Sequence, residues 1–304
     1  MDQFNVYKDM KARTNGEIYI GVVGPVRTGK STFIKRFMNL MVLPNIEDEN
    51  DRNRANDELP QSSSGKTIMT TEPKFVPNEA VSIKTEEGIE LNVRLIDCVG
   101  YMVEGATGHM EGEEERLVKT PWFDYEIPFT KAAAIGTKKV ITEHSTIGVV
   151  VTCDGSFGEI AAKQYEPAEE ETIKQLKALK KPFVVLLNTI HPYSESTKQL
   201  AAEKEEKYQT KVLPMNLEQM KKEDIYEIIK SVLMEFPISS IGFYVPRWTE
   251  MLKKDHPLKM ELLQMARDVI TEKTTMRDIY EEQEKEYEYI TGQKLESVAM
   301  DSGE

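Results

Sequence analysis

The chain has 304 residues, 39% hydrophobic and 30% charged, a globular balance with apolar mass for one large domain or two smaller ones. Its 39 basic and 52 acidic side chains give a net charge of −13, which argues against a general nucleic-acid binder, because phosphate contacts need a basic face. The longest apolar run, Thr146 to Val151, falls far short of the roughly 20 residues that cross a bilayer. The first residues lack the apolar stretch of a signal peptide, and two cysteines, Cys98 and Cys153, suit a reducing cytosol, so a cytoplasmic protein is expected.

A polar extension, residues 1–16, ends at the turn pair Asn15-Gly16. Residues 17–24 read as a buried strand, and residues 32–38 carry a helical period. Residues 45–66 are polar and charged and read as a loop. Residues 81–84 and 91–96 alternate apolar and polar around Gly88, which predicts a hairpin. Residues 102–128 read as a long irregular segment punctuated by Gly105, Gly108, Gly112, Pro121 and Pro128. A helix is predicted over about 129–144, strands over 147–153 and 183–188, and helical spacing at Ile173, Leu176 and Leu179. A last short strand, residues 212–215, precedes a helix over 217–235.

This alternation predicts an α/β fold with a largely parallel sheet over residues 17–237. After Phe236-Pro237 the character changes. Residues 248–290 read as helical and acidic, a face turned to water or, in the sharper reading, part of an assembly surface, and 238–304 read as the start of a second, mainly helical or α+β domain.

Gly24-Pro25-Val26-Arg27-Thr28-Gly29-Lys30-Ser31 fits the phosphate-binding loop in full, with a strand before it and a helix after it. Glycines let successive N–H groups turn toward phosphate oxygens, and the helix N-terminus adds its positive end. Lys30 would reach the β- and γ-phosphates, and the Ser31 hydroxyl would ligate Mg²⁺. Asp97, at the end of the strand Leu95-Ile96, opens Asp97-Cys98-Val99-Gly100. It would hold Mg²⁺ through water, while the Gly100 N–H meets the γ-phosphate. Thr70 and Thr71, and less so Thr67, qualify as the threonine that completes the metal shell and senses the γ-phosphate; a polar strand edge is the plainer account. Arg27 stands where a built-in arginine finger could reach the β–γ bridge, or else turns to solvent or a carboxylate. The expected nucleotide contacts are Gly24, Arg27, Thr28, Gly29, Lys30, Ser31, Thr32, Gly100 and Asn188.

These motifs resemble the translation-factor class of P-loop GTPases. That class reads guanine with an aspartate after an apolar strand. Here the strand ends in Asn188-Thr189-Ile190-His191, with histidine in the aspartate's place. A neutral histidine lacks the bidentate acceptor edge, and each unsatisfied buried group costs about 1–3 kcal/mol. ATP is therefore the expected nucleotide. Tyr101 stands where a water-positioning glutamine or histidine would follow the aspartate motif.

The runs Gly21–Lys35, Asp57–Ser62, Gly65–Pro77, Asp97–Tyr101 and Glu143–Val150 resemble the stage IV sporulation protein A family, coat-morphogenetic ATPases of endospore-forming bacteria. The likeness covers residues 1 to about 260 and implies a chain that stops inside its second domain. It implies an ATP-hydrolysing scaffold that self-assembles irreversibly into the basement layer of the spore coat, on the mother-cell face of the outer forespore membrane. It also implies recruitment by a small amphipathic membrane-bound protein, contact with other coat proteins, and membrane association through a C-terminal region not matched here. Carried over, Lys30 is the loop lysine, Asp97 the second-motif aspartate, and Thr70 and Thr71 the sensors. A regulatory GTPase-like switch with relaxed base specificity and a small-molecule kinase are the rival readings.

Overall fold

The computed structural model describes residues 17–60, 72–84, 90–111, 114–158, 160–280 and 287–290. Strand β1 (Glu17–Val23) delivers the phosphate loop to helix α1 (Lys30–Phe37), which a π-helical turn, Met38–Val42, extends. Then come α2 (Glu49–Asp57), β2 (Lys74–Lys84) and β3 (Glu90–Asp97). Four short strands follow, β4 (Met110–Glu111), β5 (Glu114–Glu115), β6 (Leu117–Thr120) and β7 (Phe123–Pro128). They lead to α3 (Phe129–Lys139), β8 (Ile147–Cys153), α4 (Ala162–Ala178), β9 (Phe183–Asn188), α5 (Glu195–Tyr208), β10 (Val212–Met215) and α6 (Lys222–Met234). The last helices are α7 (Pro257–Glu272) and α8 (Met276–Tyr280).

Six strands form one sheet in the order β10-β9-β8-β1-β3-β2, parallel except for the antiparallel edge strand β2. Every residue of β8 and of β9 is buried, as expected of parallel strands covered on both faces. Ile173 and Leu176 of α4 join Val150, Val185 and Phe183 in the main core. The strand order reverses direction at β1. Registry places Val22 beside Asp97 and Cys153 beside Asn188, so the carboxyl ends of β1, β3, β8 and β9 line up. Open α/β sheets bind ligands at that end, where the order reverses.

Several elements differ from the sequence expectation. The loop predicted over 45–66 contains α2, whose Asp48 side chain accepts from the Asn50 and Asp51 N–H groups. Only Ala55 of this helix is buried, so it carries almost no apolar stripe. Residues 102–128 are not wholly irregular, because β4–β5 and β6–β7 form two antiparallel pairs. Strand β2 begins at Lys74, and its pairing with β3 slips between Val76 and Val81. Helix α5 lies in a stretch to which the sequence reading gave no element. The helix predicted over 217–235 begins at Lys222, because the Asn216 side chain accepts from Glu218 and Gln219 and holds a turn there.

The chain resolves into two compact units, Met1–Val232 and Leu233–Glu304. In the second, Ile238 N–H donates to Thr274 O and Met276 N–H to Phe236 O, and Arg277 pairs with Glu235 at 3.2 Å. Helix α7 has no buried residue, and Met260, Leu263 and Ile270 on it are exposed. Among the described residues no helix is long and apolar enough to cross a membrane.

Candidate nucleotide site

The turn from β1 into α1 is held in a shape that only glycine tolerates. Gly29, the N-cap of α1, has φ 101°, and a Cβ there would lie 2.6 Å from Asn188 Nδ2. It offers no side-chain acceptor, and the first turn carries no acidic residue. The N–H groups of Lys30, Ser31 and Thr32, with the positive end of the helix, therefore suit an external anion. Thr28 Oγ1 donates to Pro25 O at 3.0 Å and braces the loop from within.

Lys30 is buried. Its Nζ donates to Pro25 O at 2.5 Å and to Gly24 O at 3.5 Å. Burial holds the ammonium below its ordinary range, with Cys98 and Asp97 opposing that shift. A desolvated cation whose hydrogen-bond partners among the described residues are carbonyls suits a phosphate.

Asp97 closes β3 beside it. Ser31 Oγ donates to Asp97 Oδ2 at 3.3 Å, and among the described residues the buried Asp97 Oδ1 has no hydrogen-bond partner. Burial pushes this carboxyl up to about 6, with Lys30 and the Ser31 hydrogen bond pulling the other way. A hydroxyl and a carboxylate side by side, one carboxylate oxygen orphaned, are the hard oxygen donors that Mg²⁺ takes. The residues present thus fit both halves of a magnesium nucleotide.

Gly100 lies directly over the lysine. At φ 97°, a Cβ there would lie 2.3 Å from Gly24 O and 2.5 Å from Lys30 Nζ. Its N–H donates to Thr137 Oγ1 of α3 at 3.1 Å. The next residue clamps the loop, with Tyr101 N–H donating to Gly24 O (3.2 Å) and Val26 N–H to Tyr101 O (2.9 Å). Tyr101 OH donates to Gln175 Oε1 of α4 at 2.8 Å, so its hydroxyl is engaged with that helix.

Arg27 is exposed, at φ 61°, and its Nη2 donates to Thr107 O (3.0 Å) and Thr107 Oγ1 (2.9 Å). It ties the phosphate loop to the segment after Gly100. A small apolar cluster of Val26, Val103, Ala106, Cys153, Ile160 and Tyr165 packs the same two segments together. Neither Thr107 nor Thr137 carried a sequence signal, because both act through contacts distant along the chain.

Asn188 is buried and committed at both ends. Its Nδ2 donates to Thr28 O at 3.0 Å, and its Oδ1 accepts from Leu217 N–H at 3.2 Å. It is a strut between the phosphate loop and the turn after β10. Thr189 N–H donates to Met215 O, and His191 is exposed, its N–H donating to Thr189 Oγ1 at 3.1 Å. Lys30, Ser31, Asp97, Gly100 and Asn188 thus gather at one end of the sheet; Thr67, Thr70 and Thr71 lie outside the described residues.

Residues 1–237 match the family described as stage IV sporulation protein A, ATPase domain, and residues 238–304 match its middle domain. The stage IV sporulation protein A of Bacillus anthracis is 47% identical over 305 residues, covering 100% of this chain and 62% of its own length. That of Clostridioides difficile strain 630 is 54% identical over 275 residues, covering 90% and 56%. That of Bacillus subtilis strain 168 is 46% identical over 305 residues, covering 100% and 62%. The chain therefore spans less than two thirds of the length of these relatives. With both of its stretches matched in chain order, the chain belongs to the stage IV sporulation protein A family.

Proposed function

We propose that this chain binds and hydrolyses ATP as the nucleotide-driven part of a morphogenetic scaffold, one that self-assembles into the basement layer of the spore coat on the mother-cell side of the forespore outer membrane. The observation that carries the chemistry is the meeting of three groups at the ends of β1 and β3. They are the buried Lys30 ammonium, the Ser31 hydroxyl, and Asp97 with an orphaned buried oxygen. Lys30 and the first turn of α1 bind the phosphates. Ser31, Asp97 through water, and Thr70 or Thr71 would hold Mg²⁺, which would neutralise developing phosphate charge. Gly100 lies against the same lysine and carries the N–H that would meet the γ-phosphate.

The choice of ATP rests on the residues after β9. Asn188 is spent on Thr28 and Leu217, and the exposed His191 presents no carboxylate to a guanine. Competition binding at fixed Mg²⁺ tests the choice, with ATP expected to bind more tightly than GTP. GTP affinity at or above that of ATP would favour the switch-like GTPase instead. Replacing Thr70 and Thr71 by alanine is expected to preserve binding and lower hydrolysis, since sensing matters most as charge develops. The partners of this reading are further copies of the chain, a small amphipathic membrane-bound anchor protein and other coat proteins.

A further inference from the structure

The Gly100 N–H is not idle. It donates to Thr137 Oγ1 at 3.1 Å, and that hydroxyl donates in turn to Ala133 O at 2.8 Å within α3. Thr137 is fully buried. A helical threonine ordinarily satisfies itself on the carbonyl one turn back. Here it also accepts from a backbone donor 37 residues away in sequence. That donor belongs to the glycine whose missing Cβ would lie 2.5 Å from Lys30 Nζ. On the reading of this site as a nucleotide site, it is the donor that a γ-phosphate would claim.

We propose that Thr137 is a positioning residue for γ-phosphate detection, holding the Gly100 N–H when no γ-phosphate is present and yielding it when one binds. The exchange is favourable in sign, because a hydrogen bond to an anionic oxygen is roughly twice as strong as one between neutral groups. It has a cost in discrimination, since ATP gains only the difference between the two bonds. ADP leaves the N–H with Thr137. The same hydroxyl anchors the N–H to α3, so release of the bond reports the γ-phosphate to that helix.

Thr137→Val keeps the shape and removes the hydroxyl acceptor, leaving the Gly100 N–H only the weakly accepting Cys98 thiol beside it until a γ-phosphate binds. The ratio of affinities for a non-hydrolysable ATP analogue and for ADP is expected to rise on the order of fivefold, the size of one net hydrogen bond. Thr137→Ser keeps the hydroxyl and is expected to restore the wild-type ratio. A purely structural role would weaken both nucleotides alike. An unchanged ratio in a valine variant that melts like wild type overturns the inference. Failure of the wild type to bind either nucleotide overturns the site reading itself, and this inference with it. Should the valine variant not fold, the wild-type amide resonance of Gly100 decides. It is expected to move far on adding the analogue and little with ADP, and equal movement overturns the proposal.

Discussion

Among the described residues the buried Lys30 ammonium hydrogen-bonds to carbonyls of its own loop, with the Asp97 carboxyl near enough to attract it. Lys30→Ala is expected to weaken ATP binding by at least about tenfold, the value of one hydrogen bond to a charged group, in a calorimetric titration. Asp97 carries a pH signature. Burial lifts its carboxyl from an ordinary 3.8 to about 6, so between those values the folded chain keeps a proton that the unfolded chain has released. Stability from this group is thus lost as pH rises from about 4 to about 6 and is level above that. The melting temperature of wild type minus that of Asp97→Asn should fall across that window and then stay constant; a flat difference from pH 4 to pH 7 would contradict the assignment. Lys30, Ser31 and Asp97 were legible in the sequence because the motif dictates residue type, spacing and flanking elements together. Thr137 was not, since a threonine inside a helix looks alike whether its hydroxyl serves its own turn or a distant N–H.

Elements were legible in proportion to how completely they are buried. Strands β8, β9 and β10 are covered parallel strands, and a continuous apolar run announces them. Helix α5 buries only Thr197, Ala201 and Tyr208, and its charged remainder gives no stripe to read. Its start was nonetheless written in Ser194, whose Oγ accepts from Thr197 N–H at 3.2 Å. Ser194→Ala should cost about 1 kcal/mol of stability in denaturant unfolding. Asn188 matters more, because it joins two elements. Asn188→Ala would strip the buried Thr28 carbonyl and the Leu217 N–H of partners, at about 1–3 kcal/mol for each orphaned group. Because Thr28 lies in the phosphate loop, ATP affinity should fall with stability. Lost stability at unchanged affinity would mean that the strut does not shape the loop.

At the scale of the whole molecule, the proposed role turns on how loss of a γ-phosphate beside Gly100 would reach a surface. The segment after Gly100 is clamped to the phosphate loop three times, by the Tyr101 and Val26 backbone bonds, by Arg27 on Thr107, and by the apolar cluster around Val103 and Ala106. A segment so coupled cannot ignore a change in the loop it is tied to, and it leads on to the exposed strands β4 to β7, with Leu117 and Tyr125 more than half exposed. Such coupling drives assembly only if ATP and ADP differ in affinity for the two shapes, and hydrolysis then commits what binding alone leaves reversible. A protein of the relatives' full length is therefore expected to scatter light progressively with ATP and to stay dispersed with a non-hydrolysable analogue. Arg27→Ala, which cuts one clamp, should lower the yield of assembled protein per ATP hydrolysed. Assembly with the analogue equal to assembly with ATP would refute a role for hydrolysis, and an unchanged yield in the arginine variant would remove that clamp from the route.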